Sequence, residues 1–394
     1  MILLKNEGGL LPLAKDLSSI AVIGPNADDI RNMVGDYSHA SHIELVSIGA
    51  QEPATLGAES LPAGEPVRII SVLEGIRNSV SSATAVHYAK GCEVTGDSTE
   101  GFAEAVEAAK KADVAVVVVG DKSGLAFDCT SGEFRDRVDI NLPGAQEALV
   151  RAVHETGTPT VVVLANGRPM SIAWIAENVA AVIEAWKPGE EGGRVVADVL
   201  FGDVNPGGRL PITIPRATGQ IPIFYNHRPS GSNSVIYGDY VDCSSTPLFA
   251  FGHGLSYTKF EFANLRIEPG RVEMGGEAQI SVDIENVKAR EGDEVVQLYT
   301  RSAQTGVTRP VKELKGFKRV SIKPGEMKAV TFTLFVNQLG FYDEDMNFVV
   351  KPGVIEVMVG AASDDIRLSG EFEIVGETTE ISKAKVFFGA VEVT

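Results

Sequence analysis

Short apolar runs alternate with helix-spaced apolar positions from residue 19 to about 216. Ile20-Ala21-Val22-Ile23-Gly24 is the first clear strand, and Val114 to Val119, Thr160 to Ala165 and Ala180 to Trp186 repeat the pattern. Continuous β-branched runs, apolar on both faces, are expected where a mostly parallel sheet is covered by helices on each side. Between the runs, Phe102, Val106 and Ala109 recur at helical spacing and form one apolar stripe. A further helix is predicted from Pro143, which a first turn tolerates, with Leu149 and Val153 stacked one above the other. Residues 1–216 are therefore expected to form an α/β sandwich, a mostly parallel sheet covered by helices.

From 217 to 262 the pattern dissolves into Pro, Gly, Asn, Ser and aromatic residues, the signature of a long connecting loop. Strict alternation then begins. Ile280, Val282 and Ile284 are interleaved with Ser281, Asp283 and Glu285; Val330, Phe332 and Leu334 repeat this, as do Ile355, Val357 and Val359. Turn signals separate the runs, notably Lys323-Pro324-Gly325-Glu326 and Lys351-Pro352-Gly353. Residues 263–376 are accordingly expected to be an all-β sandwich of the immunoglobulin or fibronectin type III kind. The tail, 377–394, contains Val386-Phe387-Phe388 and is expected to dock back onto a domain.

Composition narrows the classes. A chain of 394 residues, 44% hydrophobic and 22% charged, suits two or three soluble globular domains. A formal net charge of −18 would repel phosphate backbones and anionic headgroups, so neither nucleic acid nor membrane is an expected partner. No apolar run approaches the roughly 18 residues that span a bilayer, and Met1 to Lys5 lacks the pattern of a signal peptide. Cys92, Cys129 and Cys243 form no metal-binding spacing. They read as unpaired thiols, with a Cys92–Cys129 bridge as the alternative in an oxidising compartment. The six histidines show no ligand spacing either, and no metal or cofactor is expected.

Chemistry concentrates after the most apolar strand. Gly120-Asp121-Lys122-Ser123-Gly124 leads into Cys129-Thr130-Ser131-Gly132-Glu133-Phe134-Arg135-Asp136-Arg137. In open α/β sheets, ligands gather at the carboxyl ends of strands, and this loop leaves such an end. Its glycines and charges can present a carboxylate without burying it. On that basis alone Glu133 is an ordinary solvated residue.

The string SGEFRDR, with Leu142-Pro143-Gly144-Ala145-Gln146 behind it, resembles the acid/base region of glycoside hydrolase family 3. Further segments resemble the family in order: LLKNEGGLLPL from Leu3, AVIGPNAD from Ala21, ANGRPM from Ala165, EAWKPGEEGG from Glu184, FGDVNPGGRLPITIPR from Phe201, GQIPIFYNH from Gly219, PLFAFGHGLSYT from Pro247, TRPVKELKGFKRV from Thr308 and GFYD from Gly340. The resemblance implies an α/β sandwich followed by a fibronectin type III-like domain. It also implies a retaining exo-β-glycosidase, β-glucosidase or β-xylosidase, acting on oligosaccharides or β-glycosides, with Glu133 as general acid/base. Such enzymes use two carboxyl groups about 5 to 5.5 Å apart. Family members resembling this chain carry the nucleophilic Asp on a (β/α)8 barrel of roughly 250 residues, for which this chain has no room. Asp121, Asp128 and Asp136 are the carboxylates nearest Glu133, and none is a credible nucleophile; Asp136, beside Arg135 and Arg137, reads as a charge-paired residue orienting the loop.

The chain is thus expected to be the C-terminal part of the enzyme, truncated at its N-terminus and nearly inactive until a barrel is supplied in cis or in trans. A homo-oligomer in which a neighbouring subunit's loop completes a site stays open. The rival reading is a non-catalytic carbohydrate-binding or scaffolding protein, which would have no use for Glu133. A nucleotide-binding reading lacks its glycine fingerprint, and Gly24-Pro25-Asn26-Ala27-Asp28 is taken as a structural turn. Glu190 and Glu191 read as helix-start residues. His227, His253, Tyr225, Phe249, Phe251 and Tyr257 read as burial residues of the connecting loop rather than sugar-stacking ones.

Overall fold

The structure, a computed structural model, describes residues 1–49, 67–231, 238–302 and 306–394, without the side chains of 46–49. Residues 232–237 of the expected connecting loop lie outside the described residues. The chain divides into two compact units, Met1–Gly208 with Pro215–Gly219, and Arg209–Ile214 with Gln220–Thr394.

The first unit is built on a six-stranded sheet of β1 (Ile2–Asn6), β2 (Ser19–Ile23), β3 (Ala85–Ala89), β4 (Val114–Gly120), β5 (Thr160–Ala165) and β6 (Ala181–Glu184). Its order is β1-β6-β5-β4-β2-β3, parallel except that β1 runs antiparallel along β6. Every residue of β4, β5 and β6 is buried, as both-face apolar runs require. The helices are α1 (His39–Gly49), α2 (Val72–Ser79), α3 (Phe102–Lys110), α4 (Gln146–His154), α5 (Ala173–Asn178) and α6 (Gly192–Leu200). Right-handed crossovers put α2 on one face and α3, α4 and α5 on the other, because the chain reverses direction across the sheet after β3. Contacts agree: α3 packs on α4, and α2 packs on α6. The second contact is close enough that a Cβ on Gly75 would lie 2.0 Å from the Gly193 carbonyl oxygen.

Two details differ from the sequence reading. The buried face of α3 is Ala105, Ala108 and Ala109, while Phe102 and Val106 are half-buried; the alanines let the helix approach the sheet closely. The earliest strand is β1, ahead of the Ile20 run. Among the described residues no helix is long and apolar enough to cross a membrane.

The second unit is all β. Strands β7 (Phe260–Glu268), β9 (Glu277–Asn286), β12 (Met327–Phe335) and β18 (Val391–Val393) form one sheet, in the order β18-β12-β9-β7. Strands β8 (Arg271–Glu273), β10 (Gly292–Ser302), β11 (Glu313–Ile322), β15 (Gly353–Gly360) and β16 (Ile366–Val375) form another, in the order β11-β10-β15-β16-β8. A small third sheet joins β13 (Phe341–Tyr342), β14 (Phe348–Val350) and β17 (Thr379–Glu380). The alternating residues Ile280, Val282, Ile284, Val330, Phe332, Leu334, Ile355, Val357 and Val359 all enter one core. The tail contributes β17 and β18 to these sheets, but the stretch expected to dock does not bury its rings: Phe387 and Phe388 are exposed.

Between Ile221 and Lys259 the described residues hold no helix and no strand beyond isolated bridges. The aromatic residues of this stretch pack together, Tyr225 stacking on Phe251 at 4.4 Å and Phe249 on His253 at 5.2 Å. Tyr225 also meets buried Tyr299 edge-on and accepts the Leu314 N–H at 3.2 Å. Cys92 and Cys129 are buried free thiols, so the bridge alternative does not form; Cys243 is free and half-buried. Burial pushes the Cys92 thiol up to about 11.

Candidate active site

The parallel strands, read in chain order from β2 to β6, lie in the spatial order second-first-third-fourth-fifth. Direction reverses between β2 and β4, and the loops leaving their carboxyl ends diverge there, which is where doubly wound sheets hold ligands. The loop after β2 runs through Asn26, Arg31, Asp36 and Tyr37; the loop after β4 runs from Asp121 to Asn141. Glu133 sits on the second and meets the first.

The loop after β4 folds back on itself. Thr130 N–H donates to the Lys122 carbonyl at 2.8 Å and Gly124 N–H to that of Ser131 at 3.0 Å. Gly132 then turns the chain with a φ of +147°, and a Cβ there would lie 2.0 Å from the Gly124 carbonyl oxygen, so only glycine fits. Glu133 occupies the tip of the tight turn closed by Gly132 and Arg135, and its side chain is exposed. Its backbone N–H donates to Asp36 Oδ2 at 2.9 Å. Its carboxylate accepts the Tyr37 hydroxyl, and the Tyr37 phenol is raised by that bond. Asp36 also accepts the Ser123 hydroxyl at 3.2 Å. Arg31 ties the two loops together, donating to the Ser123 carbonyl at 3.1 Å and to Glu44 of α1 at 2.8 Å.

The other carboxylates of the loop are claimed by cations. Asp121, 1% exposed, pairs with Lys187 at 2.7 Å; Asp128 pairs with Lys122 at 2.6 Å; Asp139 pairs with Arg137 at 2.9 Å. Asp136 is charge-paired as the sequence suggested, but with Arg168 from the loop after β5 rather than with its neighbours Arg135 and Arg137. Among the described residues Glu133 alone of this set has no cationic partner.

Beneath the turn lies a buried polar layer that the sequence did not single out. Lys187, from the loop after β6, donates to the carboxylate of Asp121 and to the carbonyls of Asp121 and Asn32 at 2.9 and 3.2 Å. Burial pushes its ammonium down. Glu184, the last residue of β6, accepts the Trp186 N–H at 2.9 Å, and burial pushes its carboxyl up to about 8. Gly24 to Asp28 forms the expected turn, and α6 starts at Gly192 just after Glu191. Among the described residues no three His, Cys, Asp or Glu side chains cluster as metal ligands.

A doubly wound sheet with a carboxylate at its switch point, followed by an all-β unit, defines the class, and comparison with known proteins makes it particular. Residues 1–257 match the Glycosyl hydrolase family 3 C-terminal domain and residues 294–363 the Fibronectin type III-like domain. The chain belongs to glycoside hydrolase family 3. It is 42% identical to the Beta-xylosidase of Formosa agariphila, over 93% of this chain and 48% of that protein. It is 35% identical to the Periplasmic beta-glucosidase of Salmonella typhimurium, over 95% of this chain and 48% of that protein. The solved β-glucosidase of Listeria innocua in complex with glucose superposes with a TM-score of 0.81 at 34% identity, covering 95% of this chain and 48% of that one. The chain spans about half the length of the relatives it matches.

Proposed function

We propose that this chain supplies the general acid/base of a retaining exo-β-glycosidase, with Glu133 in that role. Its substrates are oligosaccharides or aryl and alkyl β-glycosides, carrying glucose or xylose at the non-reducing end. The nucleophile comes from a (β/α)8 barrel joined in cis or supplied in trans. The reading is carried by one observation: of the carboxylates on the loop after β4, Glu133 alone is exposed at a fixed turn and free of a cation.

In the first step protonated Glu133 gives its proton to the glycosidic oxygen as the bond to the anomeric carbon breaks, while the barrel's carboxylate attacks that carbon. In the second, Glu133 as carboxylate takes a proton from the water that displaces the enzyme. A proton donor must hold its proton near neutral pH, and an apolar, water-excluding environment provides this. A turn that presents its carboxyl outward is suited to closing against a pocket on another body.

The test uses the chain joined to a family barrel. Glu133→Ala should lose orders of magnitude on β-glycosides with poor leaving groups and keep most of its first-step rate on dinitrophenyl glycosides, which need no acid. Azide should restore turnover and yield a β-glycosyl azide. Equal loss on both substrate types with no azide product would end the assignment. The chain alone should turn over neither.

A further inference from the structure

The buried layer under the acid/base turn has a geometry that the fold does not require. Lys187 has three N–H donors, and each meets an acceptor: Asp121 Oδ1 at 2.7 Å, the Asp121 carbonyl at 2.9 Å and the Asn32 carbonyl at 3.2 Å. The Asp121 carboxylate is as fully used. Besides Lys187, its Oδ1 accepts the Gly167 N–H at 3.1 Å, and its Oδ2 accepts the Ser131 hydroxyl at 3.0 Å. Two side chains thereby join the loops after β2, β4, β5 and β6, all at the carboxyl edge of the sheet.

A buried ion pair of this kind adds little stability over apolar residues of the same volume, since desolvating both charges offsets their attraction. The strands are already held by the apolar residues of β4, β5 and β6. What the pair adds is a fixed location for Ser131, itself 8% exposed and two residues from Glu133. Gly132, the only residue between them, packs on Gly124 so closely that a Cβ would lie 2.0 Å from its carbonyl oxygen, and the Gly124 N–H donates to the Ser131 carbonyl, so Ser131 and the turn are held as one piece. On the far side Asp36 grips the Glu133 N–H.

We infer that Asp121 and Lys187 are positioning residues for the acid/base turn, acting on Glu133 through the Ser131 hydroxyl. The inference rests on the acid/base reading of Glu133. A proton donor must meet the glycosidic oxygen within hydrogen-bond reach, and a displacement of about 1 Å costs on the order of 100-fold in rate.

Ser131→Ala cuts the link while leaving the ion pair intact. In the barrel-joined enzyme it should lower kcat about tenfold or more on phenyl or alkyl β-glycosides. The first-step rate on dinitrophenyl glycosides, which need no acid, should stay near wild type, and Ser131→Thr, which keeps the hydroxyl, should recover most of the loss. In the 394-residue chain itself, hydrogen exchange of the Gly132 to Arg135 amides should quicken in Ser131→Ala while that of β4 stays slow. Equal first-step loss on good and poor leaving groups, or unchanged exchange in the turn, would overturn the inference. If Glu133→Ala behaves as an acid/base variant and Ser131→Ala is indifferent, only the positioning role falls. If Glu133→Ala shows no leaving-group dependence, the acid/base reading falls and takes this inference with it.

Discussion

Glutamine in place of Glu184 should change the pH dependence of folding in a direction that the structure fixes. The carboxyl is 1% exposed at the end of β6. Its Oε1 accepts the Trp186 N–H at 2.9 Å and its Oε2 the Asn166 amide at 3.4 Å. Burial raises the carboxyl from an ordinary 4.5 to about 8; the Asp121 carboxylate adds to the rise, and Lys187 and the two hydrogen bonds oppose it. The folded protein therefore holds a proton that the unfolded chain releases between these two values. With fewer protons bound in the unfolded state, stability falls as pH rises. The contribution is fully present below 4.5 and gone above about 8.

Over the whole interval this is worth at most about 5 kcal/mol, at 1.36 kcal/mol per pH unit, and between pH 6 and pH 8 about 2 kcal/mol. Glutamine keeps an oxygen for the Trp186 N–H and carries no titrating proton. Its amide also faces Asn166, whose buried Oδ1 has no partner among the described residues. Both tryptophans of the chain, Trp174 and Trp186, lie in the first unit, so their fluorescence follows its unfolding in urea. Wild type should lose about 2 kcal/mol relative to Glu184→Gln between pH 6 and pH 8. Parallel stability curves across that range would show that the carboxyl is ionised when buried, and the account of this layer would be wrong.

Three further outcomes follow from single contacts. Lys187→Met strands the Asp121 carboxylate and should cost about 3–5 kcal/mol by the same fluorescence assay, whereas Asp121→Leu with Lys187→Met should cost less than the single change. Gly132→Ala should leave the far-ultraviolet circular dichroism unchanged but abolish most turnover in the barrel-joined enzyme, because a Cβ 2.0 Å from a carbonyl oxygen must move the turn. Phe332→Ala, removing a ring 2% exposed in the core of the second unit, should cost about 3–5 kcal/mol by calorimetry.

The fold was legible where burial dictates residue type. Strands β4 and β5 are buried on both faces, and apart from Thr160 and Gly120 only apolar, mostly β-branched residues stand there; in the second unit β9 alternates because one of its faces is wet. Elements lacking such a demand left a weaker mark. Strand β1 is five residues long, pairs with β6 nearly 180 residues away and sits at the sheet edge, so no local turn or partner announces it. Helix α1 begins in His39-Ala40-Ser41-His42, a polar stretch without an apolar stripe.

The site was legible only in part, for a different reason. Glu133 is an exposed glutamate on a glycine-rich loop, a residue whose burial and periodicity say nothing, and family resemblance alone singled it out. Its partners Asp36 and Tyr37 lie 97 and 96 residues earlier, and Lys187 reaches Asp121 across 66. What brings them together is the reversal of strand order between β2 and β4, which no local pattern encodes. Asp136 shows the same limit: its arginine neighbours in sequence suggested its partners, but its cation comes from the loop after β5. Charges in this loop are therefore assigned partly within it, Asp128 to Lys122 and Asp139 to Arg137, and partly by sheet topology, which brings Lys187 to Asp121 and Arg168 to Asp136 and leaves one glutamate facing outward.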